Sequence, residues 1–112
     1  MTENTATPQP SAAEQMLGHF APGLVHFTDA VLFGEVWKRP QLSPRDRSLV
    51  TVAALVAGGN AEQLTFHLQH AKDNGVTQDE LVEAITHLAF YAGWPKAFSA
   101  IGVAKQVFTT TN

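Results

Sequence analysis

Three helix-start signals follow one another between Ser43 and Ala92, and this succession restricts the fold more than any other feature of the chain. In Ser43-Pro44 a capping serine precedes a proline, which is the residue suited to the first helical position. Asn60 to Gln63 and Thr77 to Glu80 each place a polar cap three residues before Gln or Glu. The segment is therefore predicted to form three consecutive helices.

Glycines are expected to end these three helices, because glycine readily adopts the left-handed backbone that closes a helix. They are Gly58-Gly59, Gly75 and Gly93. From Leu49 onward the first helix is apolar nearly all round, which is typical of a helix buried on most sides.

Three further helices are predicted outside this segment. A capping box at Ser11 begins a short helix over 12–17, and Pro22 suits the first turn of another that runs to about Phe33. Pro95 can start the last helix. Since no segment alternates with the period of two that marks a strand, we predict an all-α fold with about six helices.

The chain of 112 residues is short enough for one domain. Residues 1–10 are polar with two prolines and are predicted to be a flexible tail, and residues 11–109 are predicted to form a single helical domain. Only 15% of the residues are charged, against about 25% in ordinary domains. We therefore expect part of the surface to be covered in a homo-oligomer.

Several functional classes are disfavoured by composition. A net charge of −3 without a basic patch argues against nucleic acid as a partner. No apolar run reaches the roughly 18 residues of a membrane span, and no basic-then-apolar leader is apparent, so we expect a cytoplasmic location. The chain has no cysteine, which excludes a thiol nucleophile.

His67 and His70 are candidate catalytic residues, because they lie three apart on one predicted helix and are therefore neighbours on its surface. Gln63 lies one turn before His67. Histidine donates and accepts protons near neutral pH more readily than other side chains. Histidines without a chemical role are the commoner explanation for such a pair taken alone.

A second group lies on the next helix, where Glu83, His87 and Tyr91 follow at intervals of four. Glu83 can orient His87 there, or the three can form an ordinary helix stripe. Arg45 and Arg47 can bind a substrate carboxylate, or pair with Asp46 or a neighbouring subunit.

No metal or cofactor is expected. His67 and His70 have a spacing that can share a metal, but the chain has no H-E-x-x-H motif and no cysteine ligand. A G-x-S-x-G motif and a nucleotide-binding glycine fingerprint are also missing.

Residues 42–107 resemble the carboxymuconolactone decarboxylase family, which includes the alkylhydroperoxidase D proteins. The matching features are Leu42-Ser43-Pro44-Arg45-Asp46-Arg47, the apolar helix to Gly59, His67-x-x-x-Ala71 followed by Gly75-Val76-Thr77, and Tyr91-Ala92-Gly93-Trp94-Pro95. The resemblance implies a small all-helical domain that assembles into trimers or hexamers.

Peroxidase members of the family resemble the pattern Glu-x11-Cys-x-x-Cys-x-x-x-His. Its histidine falls on His67, its cysteines on Asn60 and Gln63, and its glutamate on Ser48. Because both thiols and the proton-relay acid are missing, we expect no thiol peroxidase activity, even though a peroxidase label can follow from the family.

The decarboxylase branch of the family implies a cofactor-independent lyase that acts on a small carboxylate or lactone by histidine acid/base catalysis. Such a protein holds the carboxylate, stabilises a delocalised anion and delivers a proton to carbon. The alternatives are a different lactone or ring reaction on the same scaffold, and a non-catalytic oligomeric binding protein. The candidate catalytic residues are His67, His70 and His87, and the candidate substrate-binding residues are Arg45, Arg47, Gln63 and Tyr91.

Overall fold

The structure is a computed structural model that describes residues 9–109, in which six α-helices form and no strand does. The helices are α1 Ala12–Leu17, α2 Pro22–His26, α3 Pro44–Gly58, α4 Ala61–Asp73, α5 Gln78–Ala92 and α6 Trp94–Thr109. The all-α prediction with about six helices is confirmed. Residues 1–8 of the predicted tail lie outside the described residues, and the single domain over 11–109 stays a prediction.

By internal packing the chain divides into two compact units, of which the first extends to Pro40. It contains α1, which has the predicted capping box at Ser11, and α2. The helix predicted from Pro22 to about Phe33 is helical throughout, but it widens into a π-helix over Phe27–Phe33. The connection predicted as irregular contains a 3₁₀ turn at Val36–Lys38.

The second unit, from Gln41 onward, contains α3 to α6, and two of its three predicted caps form. The Ser43 and Thr77 hydroxyls each accept the backbone N–H three residues later. Asn60 makes no such side-chain bond, so this capping prediction is wrong, although α4 does begin at Ala61. The Asn60 side chain instead lies over Gly58, where an added Cβ would come within 2.3 Å of Asn60 Oδ1.

The four helices of the second unit surround one apolar core. α3 packs against α4, α5 and α6, and α6 also packs against α4 and α5. The most deeply buried large side chains are Val52, Val56, Leu64, Leu68, Val76, Leu81 and Ile85. Since Leu64 and Leu68 face the core, the histidines between and after them lie on the flank of α4. Among residues 9–109, no helix is long and apolar enough to cross a membrane.

Candidate active site

His67 and His70 form an aromatic cluster with Phe66 on the flank of α4. Their imidazole centroids are 6.2 Å apart, and the rings are nearly perpendicular. The Phe66 ring meets His67 edge-on at 5.0 Å and stacks on His70 at 5.6 Å. Both histidines are half-buried, so the spacing of three residues places them together, as predicted, at the border between core and surface.

Burial lowers the pKa of His67 below its ordinary value of 6.5, and the charge of nearby His70 lowers it further. Both causes act in the same direction, because each makes the charged imidazolium harder to form. At neutral pH His67 is therefore an uncharged imidazole, which has one nitrogen able to accept a proton and another able to donate a hydrogen bond.

A second candidate place is the α3–α5 groove, a concavity of about 560 Å³ between the first half of α3 and α5. It is lined by Arg45, Leu49, Ala53, Asp79, Glu80, Glu83, Ala84, His87 and Leu88. The Arg45 guanidinium donates a hydrogen bond to the Glu80 carboxylate and lies 3.5 Å from the Asp46 carboxylate. Arg45 is therefore already paired with two acids of the chain.

Glu80 also completes the capping box of α5. Its carboxylate accepts the Thr77 backbone N–H, and this bond, followed by the one from Arg45, holds the pKa of Glu80 below its ordinary value. Glu80 is consequently charged at neutral pH. With Asp79 and Glu83 it gives the groove three carboxylates against a single guanidinium, an arrangement that disfavours an anionic ligand.

His87 and Tyr91 lie on the exposed side of α5, with ring centroids 4.9 Å apart. Glu83 lines the same groove as His87, but no hydrogen bond joins them among residues 9–109. Both side chains are exposed, and an orienting role for Glu83 stays one of the two possibilities given by the sequence.

The predicted site residues thus separate into two places. Gln63 lies exposed on the first turn of α4, one turn before His67. Arg45 belongs to the α3–α5 groove, whereas Arg47 is two residues, or about 200°, further round α3 and is half-buried on another side. His67 is not among the residues that line the α3–α5 groove, where His87 lies. Likewise, no three acidic or histidine side chains of the described residues are grouped as a metal site requires.

Sequence reasoning missed two contributors. Phe66 lies four residues before His70, and that spacing alone predicts contact on a helix. Ser48 is fully buried and bonded to Asn74. Its position within a mostly apolar helix was the signal that its hydroxyl needs a partner.

The comparisons with known proteins agree with the resemblance seen in the sequence. The carboxymuconolactone decarboxylase family profile matches residues 22–106. The 4-carboxymuconolactone decarboxylase of Acinetobacter baylyi is 44% identical over 92 residues, which is 82% of this chain and 69% of that protein. Nitrosuccinic acid decarboxylase npaB of Metarhizium robertsii is 36% identical over 74 residues. These residues are 66% of this chain and 52% of that protein, so the chain spans about half the length of this relative. The chain belongs to the carboxymuconolactone decarboxylase family.

Proposed function

We propose that the protein is a cofactor-independent lyase that removes carbon dioxide from a small carboxylate or lactone acid, with His67 as the acid/base. Family membership supports the reaction class, and both relatives are named as decarboxylases of organic acids. The observation that carries the choice of residue is the half-buried His67, which is uncharged at neutral pH and adjacent to His70.

The reaction breaks one carbon–carbon bond. Carbon dioxide leaves, the bonding electron pair stays on the substrate carbon, and a proton must then be added to the resulting anion. An unsaturated lactone can delocalise that pair, and so can a nitro group on the same carbon. The protein's share is to position the acid, exclude water and move the proton. A positioned acid/base side chain such as a histidine can perform these tasks without a metal or organic cofactor.

His67 is favoured over His87 on electrostatic grounds. The substrate is an anion, and His87 lies in a groove with three carboxylates. Of the two candidate arginines, Arg45 lines this acidic groove, whereas Arg47 lies on a different side of α3. We therefore assign carboxylate binding to Arg47, on the ground of its place outside the groove. His70 assists by polarising the site next to His67.

Gln63, one turn before His67, can orient the substrate through its amide. His87 and Tyr91 belong to the other group of candidate residues, beside the α3–α5 groove, and take part in the reaction only if the site lies there. A cytoplasmic location remains a prediction from the sequence.

We further propose a homo-oligomer, assembled through an aromatic face formed by Phe90, Tyr91, Trp94 and Phe98. These side chains are 75%, 78%, 51% and 69% exposed. At about 200 Å² per aromatic side chain they offer roughly 550 Å² in each copy. Two copies together approach the ~1,200 Å² at which specific interfaces begin. Because Tyr91 is part of this face and contacts His87, a second copy bound there would place the subunit interface next to His87.

The test follows the loss of substrate and the release of carbon dioxide from 4-carboxymuconolactone and from nitrosuccinic acid. His67→Gln should reduce kcat by about 10²- to 10⁴-fold. His19→Gln, which changes an exposed histidine of the first unit, is the matched control. Loss of turnover in His87→Gln but not in His67→Gln would move the site to the α3–α5 groove. Absence of turnover in the unaltered protein on both acids would refute the proposed substrates.

A further inference from the structure

Ser48 is the one polar side chain among the fully buried residues of the described range 9–109. It lies in the first half of α3, within the helix that is otherwise mostly apolar. A buried hydroxyl is destabilising unless it is hydrogen-bonded, so a serine at this place needs a reason.

Asn74 supplies that reason, because it bonds to two helices at once. Its side-chain Nδ2 donates to Ser48 Oγ at 3.0 Å. Its backbone N–H donates to the carbonyl of His70 at 2.9 Å and to that of Ala71 at 3.1 Å. One residue therefore closes the last turn of α4 and ties that turn to α3.

The turn that Asn74 closes is the one that carries His70, and His67 lies one turn earlier. Leu64, Leu68 and Ala71 hold one face of α4 in the core, and the bond from Asn74 to Ser48 adds a polar contact that joins the last turn of the helix to α3. Side chains extend about 5 to 6 Å from a helix axis, so a rotation of only 20° would move an imidazole by about 2 Å. Displacements of about 1 Å can reduce catalytic rates by about 10²-fold.

We infer that Ser48 and Asn74 form a positioning pair that fixes the rotation of α4 and thereby the placement of His67 and His70. The inference rests on the proposed function of His67. Position 48 is also where the peroxidase pattern of the family carries glutamate. In this chain the hydroxyl acts on the histidine helix indirectly, through the Asn74 amide.

The experiment compares Ser48→Ala, Asn74→Ala and the double variant with Gln69→Ala as a matched control. Gln69 lies on the same end of α4 and also makes a side-chain hydrogen bond, but to exposed Asp73 and not to α3. The pKa values of the two imidazoles are measured by NMR titration, and kcat and KM are measured on the substrate that the unaltered protein turns over.

Each single variant is expected to raise the pKa of His67 toward its ordinary value, because a loosened helix end admits water. The double variant should shift it no further than the single ones, since both changes remove the same bond. We expect kcat to fall by at least about tenfold, with KM changed by less than about twofold, as for misplacement of a catalytic group. Gln69→Ala should leave all of these values unchanged.

Ser48→Thr is the second route to the same answer if Ser48→Ala does not fold. Its hydroxyl can still accept the Asn74 amide without adding a charge near the imidazoles, so the imidazole titrations should stay closer to the unaltered protein than those of Asn74→Ala. A variant that loses the bond and melts earlier, yet keeps both imidazole titrations, would overturn the inference and leave the pair purely structural. The titrations need no substrate, so failure of the proposed reaction would be seen separately.

Discussion

Phe98→Asp is expected to separate the subunits of the proposed assembly. Phe98 lies on the first half of α6 with 69% of its surface exposed, next to a cleft of about 340 Å³ between α5 and α6. Ile85, Ala89 and Ile101 also line that cleft, which has no charged residue in its lining. A carboxylate introduced there would be desolvated by any apolar surface that covers it.

The magnitude follows from the exposed area. At about 200 Å² for an aromatic side chain, Phe98 offers roughly 140 Å². At about 25 cal/mol per Å², covering that area contributes about 3.5 kcal/mol per copy. Both copies carry the substitution, so an interface between two such faces loses about 7 kcal/mol, which corresponds to a dissociation constant weaker by roughly 10⁵-fold before the cost of burying the new charges is added.

Size-exclusion chromatography with light scattering between about 1 and 100 μM measures the effect, since weakening by this factor moves a micromolar assembly out of that range. The unaltered protein should exceed the 12.1 kDa of one chain, and Phe98→Asp should elute at that mass. Val50→Asp is the control, because Val50 is 60% exposed on α3, outside the aromatic face. Equal masses for the unaltered protein and Phe98→Asp, with an unchanged helical circular dichroism spectrum, would refute the reasoning.

Three further predictions concern stability and ionisation. Because the pKa of His67 is lowered below 6.5 in the folded chain, the folded state binds fewer protons than the unfolded state just below pH 6.5. The free energy of unfolding should therefore not depend on His67 above that pH, and it should fall as the pH drops toward the lowered pKa. Urea titrations of His67→Gln should show a smaller fall. Leu68→Ala, at a fully buried position, should reduce the free energy of unfolding by about 2–5 kcal/mol in urea, and a loss below about 1 kcal/mol would contradict this packing. Arg45→Gln should cost at most about 1 kcal/mol, since its ion pairs are exposed. In the same Arg45→Gln variant, NMR should show the pKa of Glu80 rising only partway toward its ordinary value, because the bond from the Thr77 backbone N–H remains.

Local signals predicted the helices well. The Ser43 and Thr77 caps, and the left-handed Gly59 and Gly75, lie where their residue types require. The Asn60 cap failed because its side chain had a competing place over Gly58, which has no Cβ to occupy that space. The π-helical turn after His26 was not predictable, because the residues Phe27–Phe33 also suit an ordinary α-helix.

The histidine cluster could also be predicted from the sequence. The spacing of His67 and His70 fixed their proximity, since residues three apart on a helix are always neighbours. The partner of Arg45, by contrast, could not be predicted from the sequence. Arg45 pairs with Glu80, 35 residues away, and this pairing depends on how α3 packs against α5.

The sequence by itself determined the all-α class, most helix ends and the family, because capping, glycine stops and helical spacing act over a few residues. Tertiary structure alone decided that the candidate residues form two separate groups, that the α3–α5 groove is acidic, and that Ser48 bonds to Asn74. Each of these facts joins residues on different helices. The relative placement of helices is set by the packing of their apolar faces, which the spacing along one helix does not encode.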